Sequence, residues 1–103
     1  MAPMPHSMTI APDNAMVRLR RLYRDANHCE PQSNQLVLSW ALAPERWAEH
    51  QIRYRNWSWH ACEATIRACR HHTSRLATIA GRTGLTVEQL VDTLPSTSQG
   101  EQA

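Results

Sequence analysis

Phenylalanine and lysine are both absent from this 103-residue sequence, and glycine occurs only three times. Without Phe, large apolar volume must come from Leu, Ile, Val, Met and the four Trp. Trp is a major source of burial and is also enriched at interfaces, so four in so short a chain is high. Without Lys, all 11 basic residues are Arg. Arg makes bidentate contacts to phosphate and carboxylate and stacks on aromatics, so an Arg-only surface suits anionic partners. The few Gly supply no phosphate-cradling glycine loop. No run approaches the ~20 apolar residues of a membrane span. The first residues, MAPMPHSMTIAP, have neither a basic n-region nor an apolar core, so no secretory signal is expected. These absences predict a cytoplasmic protein with no membrane partner, whose three Cys are thiols rather than disulfides.

What is present fits one compact domain. Hydrophobic residues make up 42% of the chain, an ordinary globular share. The formal net charge is only +2, and six His can add positive charge below neutral pH. Residues 1–12 carry three Pro and no helical period, which predicts a flexible tail. Residues 95–103 are polar and are expected to form a second one. The domain between them, residues 13–94, reads as all-α: a small helical bundle with one long central helix and a C-terminal helix-turn-helix-like hairpin.

The first helix is expected from about Asp13 to Asn27, capped by Asp13 or Asn14. Ala15, Met16, Leu19, Leu22, Tyr23 and Ala26 recur at helical spacing on one face. Arg18, Arg20, Arg21 and Arg24 fall mostly off that face. Residues 28–33 read as a loop. Residues 36–43, LVLSWALA, fit either a strand or a short helix. A lone strand has no partner in this chain, so a short buried helix ending before Pro44 is preferred.

Pro44 suits the first position of the next helix, with Glu45 in its first turn. From there Ala48, Ile52, Arg55, Trp59, Cys62, Ile66, Cys69, Thr73, Leu76 and Ala80 recur alternately four and three residues apart. That is a heptad-like seam, and it offers a surface for a homodimer through the long helix. Unbroken, the helix reaches roughly 50 Å. A break near Asn56-Trp57-Ser58, with Ser58 capping the second half, is compatible with the sequence. Gly81 or Gly84 can stop the helix. Thr86 and Gln89 have capping-box spacing and start a last helix over Val87–Leu94, ended by Pro95.

Segment 76–94, LATIAGRTGLTVEQLVDTL, carries Ala80, then Gly84 four residues later, then Leu85, Thr86 and Leu90. In this it resembles the helix-turn-helix of bacterial DNA-binding proteins, a motif in which a small residue permits close helix crossing and a Gly makes the turn. The resemblance implies that Thr86, Val87, Glu88 and Gln89 face double-stranded DNA, with Arg75, Arg82 and Thr83 on backbone phosphates. Glu88 and Asp92 depart from that pattern, because carboxylates beside phosphates are unfavourable and only Gln89 suits a base edge. The alternative is an ordinary helical hairpin that closes the core.

Arg18, Arg21 and Arg24 on the first helix, and Arg53 and Arg55 among Tyr54, Trp57 and Trp59, are further candidate contacts for an anion or partner. Arg67, Arg70 and Arg75 accompany His71 and His72. Ordinary surface pairing is the competing account, with Glu45 and Glu49 at helical spacing from Arg53. His28, Cys29, Cys62, Cys69 and His72 are metal-ligating residue types. Cys62 and Cys69, however, are about two helical turns apart on an apolar seam, and no metal or cofactor is expected. No nucleophile with a base and an orienting third group is evident, so no catalysis is expected. Two functions remain. One is a small DNA-binding regulatory protein using the hairpin and the Arg clusters, which the sequence favours. The other is a non-enzymatic helical protein-interaction module, an adaptor or inhibitor, docking a protein partner through exposed Trp and Arg.

Overall fold

The computed structural model of the protein describes residues 3–95, with side chains from Asn14 to Pro95. Among the described residues there are five helices and no strand: α1 (Pro3–Asn27), α2 (Asn34–Leu42), α3 (Pro44–Arg55), α4 (Trp59–Thr83) and α5 (Val87–Asp92). The all-α bundle around a long helix is therefore the architecture. Helix α1 begins at Pro3, upstream of the start expected near Asp13. Pro3 and Pro5 sit in the first turn, where a missing N–H is harmless; Pro12 lies in the interior and interrupts one backbone bond. The tail expected over 1–12 thus falls on residues 1 and 2, outside the described residues, and on a stretch whose backbone alone is described. Residues 96–103, nearly all of the other expected tail, also lie outside them.

The ambiguous stretch 36–43 is helical. Ser33 caps α2 by accepting from Leu36 N–H at 3.1 Å, and Pro44 opens α3. Val37, Leu38 and Ala41 are buried by α2's position between α1, α4 and α5. The long seam is broken where the sequence allowed it. Asn56 adopts the left-handed conformation (φ 60°), which Asn tolerates better than most residues. Ser58 then caps α4 by accepting from Ala61 N–H at 3.1 Å.

That break folds α3 back along α4. Ala48 and Cys62 now face each other inside the molecule, in a cluster with Ala26, Trp47 and Ile66. Leu19, Leu76, Val37, Leu38, Cys69, Ala80 and Val91 form the main core. From Cys62 to Ala80 the apolar residues of the α4 seam are buried against the chain's own helices. Each fully buried aliphatic side chain contributes about 1.5–3 kcal/mol relative to exposure.

Tyr23, Trp40, Trp47 and Trp57 pack edge to face in series, with centroid separations of 5.4, 6.3 and 5.6 Å. Trp40 touches both clusters and joins them. Trp47 Nε1 donates to the Ala26 carbonyl at 3.3 Å. Trp59, expected on the seam, is instead 55% exposed, because it follows the chain reversal as the first residue of α4. Arg20, expected off the apolar face, is buried at 3% exposure. It lies one turn after buried Met16, and Asn34 supplies its polar partner.

Candidate nucleic-acid interface

Helix α4 presents two faces. One is the buried seam. The other carries His71, Ser74, Arg75, Thr78, Ile79 and Arg82 around an open cavity of about 290 Å³. A second cavity, of about 220 Å³, lies where this face meets α1 and is lined by Asn14, Ala15, Arg18, His71, His72 and Arg75. His71 and Arg75 belong to both, so the two form one groove running from Arg18 to Arg82. No acidic residue is among its described lining residues.

The Arg side chains sort into two sets by their partners. Arg24 pairs with Glu30 at 3.2 Å, and Arg67 with Glu63 at 3.2 Å. Arg70 on α4 pairs with Glu45 on α3. The pairing expected between Glu45 and Arg53 along α3 is therefore replaced by one across two helices. Arg18, Arg75 and Arg82 form no ion pair among the described residues, and neither do Arg21, Arg46, Arg53 and Arg55, which lie off the groove. The charges of Arg18, Arg75 and Arg82 are uncompensated within the groove. Its field is felt by His72, whose imidazole is held below its ordinary pKa by burial first, then by His71, Arg18 and Arg75.

The turn between α4 and α5 is built as the sequence predicts. Gly84 is left-handed (φ 75°), its N–H returns to Ala80 and Gly81 carbonyls, and Leu85 N–H reaches Ala80 O at 2.9 Å. Thr86 and Gln89 form the capping box: Gln89 N–H donates to Thr86 Oγ1 at 3.1 Å, and Thr86 N–H donates to Gln89 Oε1 at 2.9 Å. Ala80 and Leu90 are buried at the crossing.

This geometry assigns the six hairpin residues unequal roles. Arg75 and Arg82 are exposed on the groove. The Thr83 hydroxyl donates back to Ile79 and Ala80 carbonyls, so its proton is engaged. The Thr86 hydroxyl accepts in the capping box and keeps its own proton for an outside acceptor. Gln89 has its carbonyl oxygen engaged and keeps only its NH₂ donors. Glu88 presents an exposed carboxylate, and its backbone carbonyl accepts from Gln35 on α2. Gln35 also donates to Asp92 at 2.6 Å, so α2 braces α5 along its polar side.

No family model, curated protein or solved structure matches the chain.

Arg53 and Arg55 lie elsewhere. Arg53 sits on α3 with Arg46, Glu49, His50 and Tyr54, and Arg55 faces a cavity with Ala26, His28 and Trp47. Arg21 is exposed on α1. The basic residues thus form separate surfaces rather than one. His71, which the sequence reading grouped with His72 and Arg75 without counting it among the site residues, lines the groove one turn before Arg75. Cys62 and Cys69 are wholly buried seam residues. Burial, reinforced by Glu45, pushes the Cys69 thiol up to about 12. Among the described residues no three His, Cys, Asp or Glu side chains converge as a metal set. Nor, among them, is any helix long and apolar enough to cross a membrane.

Proposed function

We propose that this chain is a non-enzymatic DNA-binding regulatory protein that holds the phosphate backbone of a duplex along the α1–α4 groove. The observation that carries this reading is the run of uncompensated Arg18, Arg75 and Arg82 without an acidic residue among the groove's described lining. Arg forks match phosphate geometry, and Arg charges release condensed counterions on binding. Thr86, with a free hydroxyl proton at the start of α5, adds a neutral donor. Phosphate contacts of this kind position a protein without reading sequence. Base readout falls to the Gln89 amide donors, with Glu88 restricted to accepting from a cytosine amino group. Six residues of α5 give less than two turns to a major groove. Affinity in this account therefore comes mainly from the backbone.

The test is fluorescence anisotropy with a random-sequence duplex at low salt. Arg75→Ala and Arg82→Ala should each weaken binding by roughly two- to fivefold, the range of an exposed ion pair. Arg53→Ala and Arg55→Ala should leave it unchanged. The opposite ranking would move the interface to α3.

A second reading is favoured by a separate observation. Ile52, Tyr54 and Trp59 are exposed around the α3–α4 reversal, at 39%, 68% and 55%, beside Arg53 and Arg55. Exposed aromatics with Arg are the composition of protein-interface hot spots. On this reading the chain is an adaptor or inhibitor that docks a protein partner there. Absence of any duplex binding at low salt, with the groove Arg intact, selects it.

A further inference from the structure

The end of the groove between α1 and α4 differs from the rest. Arg18 comes from one helix, and His71, His72 and Arg75 from the other, around a single cavity of about 220 Å³. The two imidazole rings meet edge to face at 5.0 Å. His72 Nδ1 is buried and has no hydrogen-bond partner. That nitrogen is closed off from solvent, so the attraction for an anion comes from the Arg18 and Arg75 guanidinium groups, which form no ion pair among the described residues. Two fixed positive charges are balanced by a dianion; a carboxylate leaves one over. The cavity, of about 220 Å³, has room for a phosphate group.

We propose that this cavity is a seat for a phosphate monoester dianion, held by the Arg18 and Arg75 guanidinium groups and flanked by the His71 and His72 imidazoles. The proposal deepens the backbone-binding reading by placing a terminal phosphate at one end of the groove, and rests on that reading only for the source of the phosphate. A strand end and free phosphate offer the same chemistry.

The experiment is a titration of the full chain with inorganic phosphate at neutral pH and constant ionic strength, following the histidine ring resonances by NMR. His71 and His72 should shift saturably, while His50 and His60, which are outside the seat, stay put. A bound dianion favours the protonated imidazole, so the His72 pKa should rise in phosphate from its depressed position, against the opposing charges of His71, Arg18 and Arg75. The doubly substituted R18Q/R75Q chain should lose the response while keeping its folded Trp signal, since both side chains are exposed. Shifts that do not saturate, that chloride reproduces, or that survive in R18Q/R75Q overturn the seat. Two oligonucleotides of one sequence, with and without a 5′-phosphate, then separate the sources. Roughly tenfold tighter binding of the phosphorylated strand assigns the seat to strand ends. Equal affinities, with the phosphate shifts intact, assign it to free phosphate. Duplex anisotropy on the same samples keeps the two proposals apart: duplex binding without phosphate shifts ends the seat alone, and phosphate shifts without duplex binding end the backbone reading alone.

Discussion

Arg20 Nη1 donates to Asn34 Oδ1 at 2.9 Å, with both residues 3% exposed, and so ties α1 to the start of α2. Asn34 passes the connection on: its Nδ2 donates to the Pro95 carbonyl at 2.8 Å, pinning the segment after α5. One amide therefore holds three parts of the chain. Asn34→Ala removes an acceptor from a buried guanidinium and a donor from a carbonyl. It should destabilise the protein by about 1–3 kcal/mol, and urea unfolding checks this. A loss within a few tenths of a kcal/mol would mean that other partners carry the connection.

The two glycines near the α4 terminus should respond with opposite sign. An added Cβ meets nothing within 4 Å at either position. Gly81 is inside the helix, so Gly81→Ala should stabilise by about 0.5–1 kcal/mol. Gly84 is left-handed, so Gly84→Ala should destabilise by about 1–2 kcal/mol. Thermal unfolding of the pair measures both, and equal effects contradict the assigned turn.

Much of this architecture was legible in the sequence. Ser58 and Thr86 cap as their types and spacing predict, and Pro44 separates α2 from α3 as expected. The apolar face of α1 is also the buried face. What periodicity does not encode is which side of a broken seam turns back on the other. Asn56 permits the break, but only packing of Ala48 against Cys62 decides that Trp59 ends outside and Trp47 inside. Burial of Arg20 was hidden for a similar reason: its partner lies 14 residues away and is polar. In the groove, Arg75 and Arg82 were foreseeable from the hairpin pattern. Their conjunction with Arg18 depends on the α1–α4 packing.

The thiols should differ sharply in reactivity. Cys29 is exposed, whereas Cys62 and Cys69 are fully buried. Burial raises both buried thiols above their ordinary value, and the thiolate is the reactive form. A thiol reagent at neutral pH should modify one Cys in the native protein and three after unfolding. Rapid modification of all three under native conditions would show that both apolar clusters around α4 open.

His72 links stability to pH. Its pKa is lower in the folded protein than its ordinary value of 6.5, through burial first and then neighbouring positive charge. The unfolded chain therefore binds the proton more readily. The contribution is present above pH 6.5 and is lost as pH falls from there through the folded pKa. His72→Asn should flatten that part of the stability curve in phosphate-free buffer, as followed by urea midpoints. An unchanged slope would place the acid sensitivity on other groups.

The most direct test of the central claim is the salt dependence of duplex binding in the wild-type chain and in an Arg18→Ala/Arg75→Ala/Arg82→Ala variant. Each phosphate contact contributes about −0.9 to the slope of log affinity against log salt concentration. If these three Arg each neutralise one phosphate, the variant's slope should be shallower by about 3. An identical slope in the two proteins would contradict the assignment of the α1–α4 groove as the DNA-binding surface.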